Sequence, residues 1–207
     1  IVNAYKTVIS DLYREGLRTL QIDDCTWGCL VDDNFIESFI EKSDRDKEVI
    51  RREFAEKFLN INNRVFQDNQ EDLVINTHVC RGNFHSTYAS EGAYDPIAPY
   101  LFAKEDVDAF YLEYDDARSG GFEPLKYIPK GKKVVLGLIT TKSAELEDKN
   151  RIIRRIHDAA RYVPLENLYL SPQCGFASTE EGNKLTEEEQ WAKLALVKEI
   201  AESVWSN

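Results

Sequence analysis

The sequence predicts an α/β protein built as a (βα)8 TIM barrel, of which this chain supplies about the last five βα units. Three observations lead there. Five short apolar, β-branched runs alternate with apolar stripes of helical period. The carboxyl ends of those runs, near Asp24, Cys80, Asp116, Ile139 and Pro172, are roughly 25 to 55 residues apart, a spacing that suits βα units in a parallel sheet. Polar residues crowd those ends, where a barrel carries its active groups. No glycine-rich dinucleotide turn supports the competing doubly wound sheet.

Each element has its own local reason. Tyr5, Val8, Ile9, Leu12 and Tyr13 recur at helical spacing, and Gly16 stands where a helix stops. Residues 19–24 follow as a short strand closing on two carboxylates. A long polar stretch then leads to a helix carrying Ile50, Phe54, Phe58, Ile61 and Val65, which returns the chain to a strand over residues 73–80. Gly82 and Asn83 end that strand. A loop with Phe84, His85 and Tyr88 precedes a short helix near residues 97–103 and a third strand over 107–116. Residues 133–139 are the fourth strand, followed by a helix striped with Ile152, Ile153, Ile156 and Ala160. The fifth spans 167–175, where Pro172 ends the pairing. Thr186 and Glu189 form a capping box for a last helix bearing Leu194, Val197, Ile200, Ala201 and Val204.

Composition narrows the class. With 207 residues, 43% of them hydrophobic, the chain has enough apolar side chains for a substantial core. No twenty-residue apolar run or signal-like start points to a membrane or to secretion. A net charge of −11, from 37 acidic and 26 basic residues, opposes a nucleic-acid partner. Cys25, Cys29, Cys80 and Cys174 are widely spaced in a chain of ordinary core size, which reads as reduced thiols in the cytoplasm. The expectation is one catalytic domain over residues 1–207. Because the chain opens at Ile1 and has no methionine, it is read as part of a longer protein whose first three barrel strands lie outside this sequence.

His78 and Cys80 are two residues apart, so a strand points both to one face. Glu113 and Cys174 stand at the ends of two other strands, and a barrel mouth brings these four together. One nitrogen, one oxygen and two sulfurs suit Zn²⁺. Two thiolates and a carboxylate make the ion a poor acid for splitting water and a better holder of a substrate thiol, which it deprotonates into a nucleophile. A hydrolase using zinc-bound water and a non-catalytic zinc- or ligand-binding barrel are the rival readings. Cys25 and Cys29 are read as packed thiols, His85 as structural and His157 as a surface residue. Trp27 and Phe84 are read as able to line a pocket for a flat donor, and Trp191 as core.

The segments 77–83 (Thr-His-Val-Cys-Arg-Gly-Asn), 112–116 (Leu-Glu-Tyr-Asp-Asp) and 171–175 (Ser-Pro-Gln-Cys-Gly) resemble the catalytic domain of cobalamin-independent methionine synthase, most of all its shorter single-barrel bacterial relatives. The resemblance runs from Leu20 to Trp205. It implies zinc ligands at His78, Cys80, Glu113 and Cys174. It also implies that Asp23, in Leu20-Gln21-Ile22-Asp23-Asp24, holds the amino group of homocysteine while a methyltetrahydrofolate-type donor supplies the methyl group. Two departures stand out. Asp24 and Cys25 replace the family's glutamate and proline. At the end of the fourth strand, Thr140-Thr141-Lys142 has no counterpart to the histidine that full-length synthases carry to protonate the leaving group, which opens the donor to corrinoids or other methylated compounds.

Overall fold

The computed structural model describes residues 1–40 and 45–206. Its centre is one sheet of five parallel strands: β1 (Thr19–Asp23), β2 (Val74–Val79), β3 (Ala109–Glu113), β4 (Lys133–Ile139) and β5 (Leu168–Pro172). The strands lie side by side in chain order. A doubly wound sheet reverses its order at a switch point, whereas a barrel adds each strand beside the last, so the sequential order decides the architecture for the barrel type. β2 and β4 are buried along almost their whole length, as their Val/Ile/Leu content requires for strands covered on both faces.

Seven α-helices accompany the sheet among the described residues: α1 (Val2–Arg14), α2 (Cys25–Val31), α3 (Asp33–Ile40), α4 (Lys47–Phe66), α5 (Leu101–Lys104), α6 (Lys149–Ala159) and α7 (Glu187–Trp205). The expected capping box opens α7: the Thr186 side chain accepts from Glu189 N–H at 3.2 Å, and the Glu189 carboxylate accepts from Thr186 N–H at 2.8 Å. No helix among the described residues is long and apolar enough to cross a membrane.

The stretch after β1, expected as a polar connection, instead folds into α2 and α3. Asp24 and Asp32 supply the reason. The Asp24 carboxylate accepts from Thr26 N–H at 3.2 Å, and Asp32 accepts from Asn34 N–H at 2.9 Å, so each short helix has its own side-chain cap. Trp27, Leu30 and Val31 anchor α2 in the core, a pattern too short to register as a period. The remainder of that stretch, residues 41–44, lies outside the described residues. Trp191, expected in the core, is 59% exposed on α7, its indole N–H donating to Glu187. Lys193 takes the inward place instead, fully buried, with Nζ 3.0 Å from both carboxylate oxygens of Glu147.

A second buried ionisable group, Glu105, sits behind the carboxyl end of β1. Glu105 is 4% exposed. Asn62 donates to its Oε1 at 2.6 Å and to Asp24 Oδ2 at 2.5 Å, while Glu105 Oε2 has no partner. Burial pushes the Glu105 carboxyl up to about 8, against the hydrogen bond from Asn62.

Candidate metal centre

The centre forms where β1, β2, β3 and β5 end. Asp23 and His78 are register partners on adjacent parallel strands. That places Asp23 Oδ1 2.6 Å from His78 Nδ1. The opposite ring nitrogen, His78 Nε2, is buried without a hydrogen-bond partner. Its ligand atom and the sulfurs of Cys80 and Cys174 all lie within 4.8 Å of one another. Cys80 follows β2 and is buried; its sulfur accepts from Gly82 N–H at 3.4 Å. Cys174 follows β5 and lies 3.8 Å from the Ser178 hydroxyl.

Glu113 closes the base of the centre. It is 0% exposed and held on both oxygens. Oε1 accepts from Arg81 N–H at 3.0 Å and stands 3.5 Å from His78 Nε2. Oε2 accepts from Arg118 at 3.2 Å and from the Gln173 amide at 3.5 Å. Three of the four expected ligands thus converge as a set, and Glu113 lies beneath them with its carboxylate already engaged. Asp23 is 61% exposed at its side chain and faces the histidine. Asp115, on the same strand face by alternation, is taken up by Arg118 at 2.7 Å.

The protonation pattern follows from these contacts. Burial works against charge on His78, but the hydrogen bond to Asp23 and the nearby Glu113 carboxylate outweigh it and raise the imidazole to about 10. The Cys80 thiol donates toward Cys174, which lowers Cys174 to about 6, helped by the charge on His78. The same hydrogen bond and burial push Cys80 up. An imidazole nitrogen with no partner, two sulfurs within reach and a carboxylate fixing the far side of the ring make the donor set of a thiophilic divalent ion.

Packing explains the placement of Cys80. A Cβ on Gly28 of α2 would lie 2.4 Å from the Cys80 carbonyl oxygen, so only glycine lets α2 approach the end of β2. Gly82, at φ +93°, turns the chain immediately after, and a Cβ there would meet Ala89 N at 2.6 Å. Beyond it, His85 and Ser86 form a tight turn at positive φ, closed by pairing of Phe84 with Thr87. Phe84 is exposed at this tip, Trp27 is buried against Phe58, and His157 is on the surface.

Sequence reasoning missed Arg81, Arg118 and Gln173, which hold Glu113, and Lys142, whose Nζ donates to Gly82 O at 3.1 Å and Asn83 Oδ1 at 2.9 Å. The adjacency of Arg81 to Cys80 and of Gln173 to Cys174 was the signal for those two. Cys25, expected as a packed thiol, is exposed, its sulfur donating toward Asp23 Oδ2 at 3.9 Å. Its place at the first position of α2, directly after the Asp24 cap, turns it outward.

The family model for the catalytic domain of cobalamin-independent synthases matches residues 1–203. The chain belongs to this family. The chain is 48% identical over 206 residues to the uncharacterized proteins YxjG and YxjH of Bacillus subtilis (strain 168), covering 99% of the chain and 53% of each relative. It therefore spans about half the length of these curated relatives. The 5-methyltetrahydropteroyltriglutamate–homocysteine methyltransferase of Blochmanniella pennsylvanica (strain BPEN) is 21% identical over 170 residues, 81% of this chain and 19% of that protein. A crystal structure from Listeria monocytogenes, described as a candidate vitamin-B12-independent methionine synthase, matches with a TM-score of 0.75 at 38% identity, covering 100% of this chain and 54% of that one.

Proposed function

We propose that this chain is the metal-binding part of a zinc-dependent cytoplasmic methyltransferase that moves a methyl group from a folate-type donor to the thiol of homocysteine, giving methionine. The observation that carries this reading is the convergence of His78, Cys80 and Cys174, whose ligand atoms all lie within 4.8 Å of one another, with His78 Nε2 buried and without a hydrogen-bond partner. Family membership supports methyl transfer to homocysteine in general. His78, Cys80 and Cys174 would hold the ion, with Glu113 as the fourth ligand from beneath. Zinc, when bound, supplies the acidity that keeps a coordinated thiol deprotonated at neutral pH.

The chain's own residues do the rest. Asp23 Oδ1 keeps the His78 ring oriented, so that Nε2 faces the sulfurs. Asp23 Oδ2 remains for the ammonium of the amino-acid acceptor, a charge-assisted pair. Arg81 and Arg118 fix Glu113, and Tyr94 pins its backbone, accepting from Glu113 N–H at 3.1 Å. In the transfer, the acceptor sulfur forms a bond to the methyl carbon. The donor's carbon–nitrogen bond breaks, its electron pair stays on nitrogen, and that nitrogen takes up the proton the thiol gave up.

One observation favours a second reading of the donor. The segment that ends β4 and leads into residues 140–142 has no histidine where full-length synthases carry one, and Lys142 there is tied to Gly82 and Asn83. A methyl-corrinoid, whose leaving group needs no proton, fits that replacement. Zinc analysis and zinc-edge absorption on the full-length protein test the proposal. One zinc per chain, with a shell that gains a sulfur when homocysteine is added, is expected. No zinc, or a shell indifferent to the thiol, overturns it. Parallel methyl-transfer assays with methyltetrahydrofolate and methylcobalamin choose the donor.

A further inference from the structure

A second set of ligand atoms adjoins the first. A carboxylate oxygen of Asp23 and the sulfurs of Cys25 and Cys80 all lie within 4.8 Å of one another. An ion about 2.3 Å from each sulfur and about 2.0–2.2 Å from the oxygen fits such a spacing. The two sets share only Cys80 and differ in access. Asp23 and Cys25 are exposed, whereas His78 and Cys80 are buried and Cys174 is half-buried. The division of labour on Asp23 allows both: Oδ1 is taken by His78, and Oδ2 is the oxygen the Cys25 thiol faces, at 3.9 Å.

We propose that Asp23, Cys25 and Cys80 form a loading position for a thiophilic divalent cation. The ion is captured there from solvent and passed to His78, Cys80 and Cys174 through the shared Cys80 sulfur. No electrons move. The ion's bonds to the Asp23 oxygen and Cys25 sulfur break as those to His78 Nε2 and Cys174 form, Cys80 stays bonded throughout, and the displaced thiol protons and the proton leaving the His78 ring pass to water. Burial explains why such a step serves the centre. A hydrated ion cannot reach a histidine and two sulfurs at the base of the cleft without shedding water, and an exposed carboxylate–thiol pair replaces that water one ligand at a time. The inference rests on the metal centre proposed above but not on the donor or acceptor.

The test is metal uptake by the metal-depleted full-length protein, followed by stopped-flow thiolate-to-cadmium charge-transfer absorption, with the final stoichiometry measured by equilibrium dialysis. In Cys25→Ser, uptake into the buried centre is expected to slow by about tenfold or more, the scale on which lost partners of a metal site register, while the final count stays at that of the wild type. Cys29→Ser, one helical turn further along α2, serves as the control and is expected to load at the wild-type rate. Equal rates in Cys25→Ser and wild type overturn the proposal. So does a lower final count in Cys25→Ser, which would make Cys25 a ligand of the finished centre. If the wild type binds no ion at all, the metal centre itself fails. If ions bind but loading ignores Cys25, only the loading position fails.

Discussion

Asp23 and His78 meet across two parallel strands at the same register level, with Oδ1 2.6 Å from Nδ1, and this single contact decides which nitrogen of the ring faces the two cysteines. Replacing Asp23 by Ala removes that orientation. Metal affinity is expected to fall about 10- to 100-fold, the usual cost of losing a partner that orients a ligating histidine. Competition with a chromogenic chelator measures it, and Asp23→Glu should recover part of the loss.

Metal binding should be steeply pH-dependent. His78, raised to about 10, and Cys80, also raised, hold protons at neutral pH, whereas Cys174, lowered to about 6, has largely lost its own. Each ligand must be deprotonated to bind. Binding near pH 7.5 is therefore expected to release about two protons per ion, so apparent affinity rises with pH through the range in which His78 titrates. Calorimetry in buffers of different ionisation enthalpy counts those protons.

Glu105 makes a separate prediction about stability. Its carboxyl is raised from 4.5 to about 8 in the folded protein, so the native state holds a proton that the unfolded chain gives up above pH 4.5. Its contribution is full below pH 4.5 and is lost as pH rises toward 8. The span of the shift sets an upper scale of about 5 kcal/mol. Glu105→Gln, which keeps an acceptor for Asn62, should flatten this decline in urea melts run from pH 5 to pH 9.

Gly28→Ala should push α2 away from the end of β2, because the new methyl group would lie 2.4 Å from the Cys80 carbonyl oxygen. A loss of about 1–3 kcal/mol in stability is expected from such overpacking. Metal affinity should fall with it, because Cys80 moves. Ala substitution at Cys29, on the same helix, is expected to leave affinity unchanged.

Lys193→Met leaves Glu147 without its buried cation. Removing one member of such a pair costs about 3–5 kcal/mol. A shift of the thermal midpoint measures the loss. Glu147 also accepts from Thr140 N–H at 2.8 Å, so the end of β4 should loosen as well.

Much of this was legible in the chain itself. β4 follows residues 133–139 as its apolar run implied, and the capping box at Thr186 forms as its spacing implied, because strand patterning and capping depend on neighbours in sequence. Helices α2 and α3 were hidden because Asp24 and Asp32 act as caps on segments too short to show a period. Trp191 stands outside the core it was expected in, while Lys193 lies inside because Glu147, a distant residue, neutralises it there.

The sequence alone determined which strands exist, their parallel βα order and that His78, Cys80, Glu113 and Cys174 would end three of them, since each of these follows from local pattern. Only the tertiary structure decided how far they converge. It set His78 Nε2 against two sulfurs, committed Glu113 to Arg81, Arg118 and Gln173, and turned Cys25 outward beside Asp23. Those outcomes depend on strand register and on the approach of α2 at Gly28, which are contacts between residues far apart in sequence that no local pattern encodes.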